Sequence, residues 1–118
     1  MTRILHWIVS VLILLLGLIH SAMTFTCMVF DQNALWFFGS GIAIVFASIF
    51  NFLALTTYAS GNRIAAISVN LIMASMFIMA AVKVLLEVQV YLGIGLFALA
   101  ALLTVKNKSQ VFPKAPIG

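Results

Sequence analysis

Apolar residues fill four long stretches of this chain, and polar residues collect in the breaks between them. The stretches cover residues 4–23, 35–58, 64–86 and 88–105. Each approaches or exceeds the roughly 18–20 residues that cross a hydrocarbon core about 30 Å thick at about 1.5 Å per residue. Polar and apolar positions do not alternate over strand-length segments, and Leu, Ala, Met and Ile prevail, so the stretches predict helices and not barrel strands. The fold class expected is all-α: a polytopic membrane protein built as a four-helix antiparallel transmembrane bundle.

The breaks fit that count. Asp31-Gln32-Asn33 and Ser60-Gly61-Asn62-Arg63 are polar and turn-prone, and predict hairpin loops. Between the third and fourth stretches only Glu87 and Gln89 interrupt the apolar run, which predicts a very tight turn. Residues 106–118 carry Lys106, Lys108, Lys114, Pro113 and Pro116 and predict a short basic tail. The chain therefore reads as one transmembrane domain plus that tail, without an internal repeat.

Composition changes the picture little, because 65% of the 118 residues are hydrophobic and only 7% are charged. Charge distribution adds orientation. Arg3, Arg63 and the tail lysines lie on one side of the predicted membrane, opposite Asp31, so both termini are expected in the cytoplasm. The net charge of +4 is thereby accounted for by topology and not by nucleic-acid binding. Trp7 and Tyr58 fit an inner aromatic belt, and Phe30, Trp36, Phe37 and Tyr91 an outer one. The first stretch is long for a signal peptide, and His20 occupies the minus-three position of the candidate cleavage site near Ala22, so an uncleaved anchor is expected. Lone Cys27 has no CxxC partner and predicts an ordinary buried thiol.

Chemistry is confined to polar residues within the stretches. His6, Ser10, Ile13, Gly17, His20 and Thr24, with Ser21 beside them, recur at helical spacing on one face of the first helix, which must meet protein because lipid cannot pair imidazole or hydroxyl groups. Leu12, Leu15, Leu16 and Ile19 suit lipid. In the second helix Ser40, Ala43, Ala47, Asn51, Ala54 and Tyr58 predict a packing face. In the third, Ala66, Asn70, Ala74 and Ala81 share one side, while Ser68, Ser75, Lys83 and Glu87 share another. Gly17, Ala43, Ala47, Ala54 and Ala74 form the expected helix-packing seam.

Depth sorts the polar residues into two layers. Asn51 and Asn70 lie at similar inner depths and predict an amide pair across the bundle. His20, Ser40, Lys83 and Glu87 form an outer layer, where a base, a cation and a carboxylate make the best candidate site. Alternatively, Lys83 and Glu87 form a local pair four residues apart, with His20 capped inside the bundle. His6 and His20 are about 21 Å apart along one helix and cannot ligate one haem iron from opposite sides. Two His, one Cys, one Asp and one Glu at different depths predict no metal site. No catalytic residue or cofactor is assigned.

The segments Gly17-Leu18-Ile19-His20-Ser21, Phe30-Asp31, Leu35-Trp36-Phe37, Gly39-Ser40-Gly41 and Asn51-Phe52-Leu53 resemble small four-span bacterial inner-membrane proteins without a settled activity, of the DoxX-like size class. The resemblance covers the first half of the chain. It implies a bacterial inner-membrane setting and a four-helix bundle, and no reaction. Three functions compete. The first is a non-enzymatic accessory, assembly or helix-packing subunit, with lipid and a second copy or larger membrane complex as partners. The second is a dimeric or proton-coupled small-molecule transporter using the outer His/Lys/Glu layer, although the first helix lacks the carboxylate of small multidrug exporters. The third is a lipid- or quinone-linked redox enzyme, for which no nucleophile–base pair or cofactor motif is present. The expectation adopted is the first, leaning away from an enzyme.

Overall fold

The computed structural model describes residues 1–27, 29–57, 59–83 and 87–107. They form four helices, α1 (Thr2–Cys27), α2 (Gln32–Thr56), α3 (Ser60–Lys83) and α4 (Val88–Lys106), with no strand among the described residues. All four are long and apolar enough to cross a membrane. Tyr58, the end of the third predicted span at 84–86, the tail from Lys108 onward and the Cys27 side chain lie outside the described residues.

Helix boundaries differ from the sequence expectation where polar residues belong to helix ends. Asp31 is the N-cap of α2, and its carboxylate accepts a hydrogen bond from the Ala34 amide at 2.9 Å, so Gln32 and Asn33 join the first turn. Ser60, Gly61, Asn62 and Arg63 are likewise the first turn of α3 and not a loop. The physical reason is shared: the first four N–H groups of a helix lack intrahelical acceptors, so polar residues settle there as readily as in a turn. α3 ends at Lys83, earlier than the apolar run suggests, and Glu87 takes the extended backbone of the α4 N-cap.

Packing is closest within the hairpins α1–α2 and α3–α4. α2 also packs on α3, and α1 on α4, which closes a ring of four helices. Val9, Ile13, Ile44, Ala47, Met73, Leu96, Phe97 and Ala100 form its apolar centre. Large residues such as Leu12, Leu15, Ile19, Phe46, Ile72 and Leu102 point outward, as a bilayer permits and water would not.

Backbones come closest where α1 crosses α2. A Cβ placed on Gly17 would lie 2.9 Å from the Val45 nitrogen and 3.0 Å from the Gly41 oxygen. One placed on Gly41 would lie 2.9 Å from the Ser21 nitrogen and 3.1 Å from the Gly17 oxygen. Only glycine fits at both positions, and the crossing is of the close, small-residue kind that holds membrane helices together by packing.

That crossing corrects the predicted seam. Gly17, Ala47 and Ala74 are buried and Ala54 is half-buried, but Ala43 is exposed. The buried side of α2 carries Ala34, Gly41, Ile44, Ala47, Ser48, Asn51 and Leu55. At about 100° per residue its centre is turned by roughly 70° from the Ser40–Tyr58 stripe, which carries Ala43 round to the outside. On α3, Ala66, Asn70 and Ala74 are buried, whereas Ser68 and Ser75 face outward, and the Ser75 hydroxyl donates to Leu71 O of its own helix at 2.8 Å.

Candidate functional site

Both ends of the bundle place polar side chains where helix geometry leaves backbone groups unpaired. At the end shared by the N-termini of α1 and α3, Arg3 Nη2 donates to Leu55 O at 2.8 Å, in the last turn of α2. Arg63 Nε and Nη2 donate to Thr104 O at 3.0 Å and Val105 O at 2.8 Å, in the last turn of α4. Each arginine therefore satisfies carbonyls of the antiparallel partner helix and meets the negative end of its dipole.

Just inside this end lies a hydrogen-bonded network drawn from all four helices. Asn51 Nδ2 donates to Asn70 Oδ1 at 3.0 Å, and Asn70 Nδ2 donates to Asn51 Oδ1 at 2.7 Å. The pair expected from depth is thus a reciprocal amide pair, with both residues 0% exposed. His6 Nε2 stands 3.4 Å from Asn51 Oδ1 and 3.2 Å from Thr104 Oγ1, and His6 Nδ1 stands 3.3 Å from Asn107 Nδ2. Thr104 Oγ1 uses its own proton on Ala100 O at 2.7 Å, so it accepts from His6. Partners therefore assign the Nε2–H tautomer to His6, with Nδ1 accepting from the Asn107 amide. Ser10 Oγ donates to His6 O at 2.7 Å, and Ser48 Oγ donates to Ser10 O at 2.8 Å, continuing the chain along α1 and α2.

The sequence signalled only half of this network. Asn51 and Asn70 are legible by depth and His6 by its place on the protein-facing side of the first helix, but the sequence does not join His6 to them, nor Thr104 to any of the three. Thr104 carried a usable signal, as the one Ser or Thr in an otherwise largely apolar α4.

Of the outer layer, the structure joins two members and separates two. His20 Nε2 lies 2.9 Å from Ser40 Oγ, and the His20 ring stacks on Phe37 with centroids 3.7 Å apart. Phe37, expected in an outer interfacial belt, is thereby half-buried beside the imidazole. Lys83 and Glu87 are both exposed, and the local pair between them does not form, because α3 stops at Lys83 and no single helix carries both residues. Glu87 instead accepts from the Gln89 side-chain amide. The four-residue site therefore reduces to His20 and Ser40.

These two residues line a partly open cleft of about 220 Å³ between the hairpins, in the half of the bundle away from the arginines. Its remaining walls are chiefly apolar, with Phe37, Met73, Met76 and Phe77 prominent, and Gln89 supplies the other polar side chain. Nearby on α1 the hydroxyls of Ser21 and Thr24 are buried without a hydrogen-bond partner. Among the described residues no three of His, Cys, Asp and Glu converge as a metal site would require. No family model, curated protein or solved structure matches this chain.

Proposed function

We propose that this chain is a non-enzymatic accessory or assembly subunit of a bacterial inner membrane, with both termini in the cytoplasm, acting as a fixed four-helix element against which another copy or another membrane protein packs. The observation that carries this reading is the His6–Asn51–Asn70–Thr104 network: these buried polar groups are paired with one another and tie four helices together, leaving them engaged in structure. The basic residues Arg3, Arg63 and Lys106 at one end support the orientation. The resemblance to small four-span proteins supports the setting.

On this reading the docking face includes the outward side of α2, where Ala43 and Gly39 are small, exposed and one turn apart. A Cβ on Gly39 would meet nothing within 4 Å, so this side is not used by the bundle itself. Extraction in a gentle detergent followed by light scattering tests the proposal. The expected result is a particle larger than one chain, reduced to the single chain by Ala43→Leu while helicity is unchanged. A parent protein that elutes alone, or a complex indifferent to Ala43→Leu, overturns it.

A further inference from the structure

The cleft beside His20 has a polarity that selects its occupant, independently of any role in assembly. Ser40 Oγ donates to Phe37 O at 2.7 Å, so its single proton is in use. At His20 the same oxygen can only accept, which places the imidazole proton on Nε2. Nδ1 is then a bare acceptor on a ring that lines the cleft, with no hydrogen bond to it among the described residues. Stacking on Phe37 and the Ser40 bond together hold the ring against rotation.

Size and charge narrow the choice. A cavity of roughly 150 Å³ lined by apolar side chains admits benzene, so about 220 Å³ admits one substituted ring and not a whole membrane lipid. The aromatic and methionine walls suit the faces and edges of such a ring. Lys83 does not line the cleft, so a carboxylate or phosphate would enter without a counter-charge, at high desolvation cost. What His20 Nδ1 lacks is a hydrogen-bond donor, and a neutral one meets the least desolvation cost.

We infer that this cleft binds a neutral hydroxy-aromatic ring, of the class found in phenols and quinols, whose hydroxyl donates to His20 Nδ1 while the ring lies among Phe37, Met73, Met76 and Phe77. The reduced, hydroxyl-bearing form of a redox ring is preferred over its carbonyl form, because a carbonyl oxygen offers Nδ1 no proton.

Fluorine NMR on the full chain in lipid nanodiscs tests the assignment, with 4-fluorophenol and its methyl ether, 4-fluoroanisole, as probes and empty nanodiscs as the partition baseline. The phenol is expected to show saturable binding about tenfold tighter than the ether, the usual weight of one hydrogen bond in an apolar site. His20→Phe, which keeps the ring and removes the acceptor, should bring the two probes to parity. Ala80→Phe, which fills the cleft from α3, should remove saturable binding of both. Equal affinities for the two probes in the parent, no saturable phenol binding above empty nanodiscs, a phenol preference that survives His20→Phe, or phenol binding unchanged by Ala80→Phe would each overturn the inference. The parent's phenol-to-ether ratio needs no variant and decides even if a substituted chain does not fold.

Discussion

Asn51 Oδ1 serves donors from two other helices, since it takes the Asn70 amide at 2.7 Å and faces His6 Nε2 at 3.4 Å. Its Nδ2 donates both to Asn70 and, at 3.0 Å, to Ala47 O of its own helix. Removing this side chain strands partners on two other helices in a medium with no water to replace it. Asn51→Leu is therefore expected to cost about 2 kcal/mol and Asn70→Leu about 1 kcal/mol. The double variant should cost less than the sum by about 1 kcal/mol, because the second change removes a group already orphaned by the first. Equilibrium unfolding in mixed micelles measures all three, and strict additivity would show that the amide pair is not coupled. At this scale the sequence was informative where a polar residue was rare in its surroundings, as with Asn51 and Asn70. It put His6 on the protein-facing side of the first helix but did not identify its partners, which are Asn51, Thr104 and Asn107.

The four helices were legible from hydrophobic run length alone, but their buried faces were not equally so. On α1 the polar and small residues coincide with the protein-facing side, and His6, Ser10, Ile13, Gly17, Ser21 and Thr24 are all buried. On α2 the buried side includes Ile44 and Leu55, which look like lipid-facing residues, because both protein interior and acyl chains are apolar and composition cannot separate them. What orients α2 is the crossing of Gly17 and Gly41, a contact between backbones. Four of the glycines fall into two contrasting pairs. Gly41→Ala and Gly17→Ala drive a methyl into main-chain atoms of the opposite helix and are expected to destabilise by about 1–3 kcal/mol. Gly39→Ala and Gly95→Ala meet nothing within 4 Å and should stabilise by about 0.5–1 kcal/mol through helix propensity. Thermal unfolding of the four variants in one detergent gives the ranking, and a Gly41→Ala protein as stable as Gly39→Ala would show that the crossing does not orient α2.

Across the whole molecule, two hairpins are built alike and then joined. Within each, packing is closest and an arginine of the first helix bonds the last turn of the second. Between them run the Asn51–Asn70 pair, the His6–Thr104 contact and the shared apolar centre. Residues 1–57 and 59–118 co-expressed as separate chains are thus expected to assemble in the membrane and co-purify, with yield lowered several-fold by Asn70→Leu in the second fragment. Fragments that never associate would mean that the connection at residue 58, and not the interface, holds the hairpins together. The number and order of the helices were readable from the chain, whereas their ends and the cleft between the hairpins were not, the cleft because it depends on how two finished units dock. Basic residues show a related division of labour. A topology signal counts lysine and arginine alike, yet in this chain both arginines, Arg3 and Arg63, bond helix ends, and Arg63 does so through two nitrogens of one planar group. The described lysines, Lys83 and Lys106, are exposed. An Arg63→Lys exchange would keep the charge of the segment and forfeit its forked bond to α4, so the two basic residue types are separable letters here: both carry the same charge, and arginine also writes the architecture.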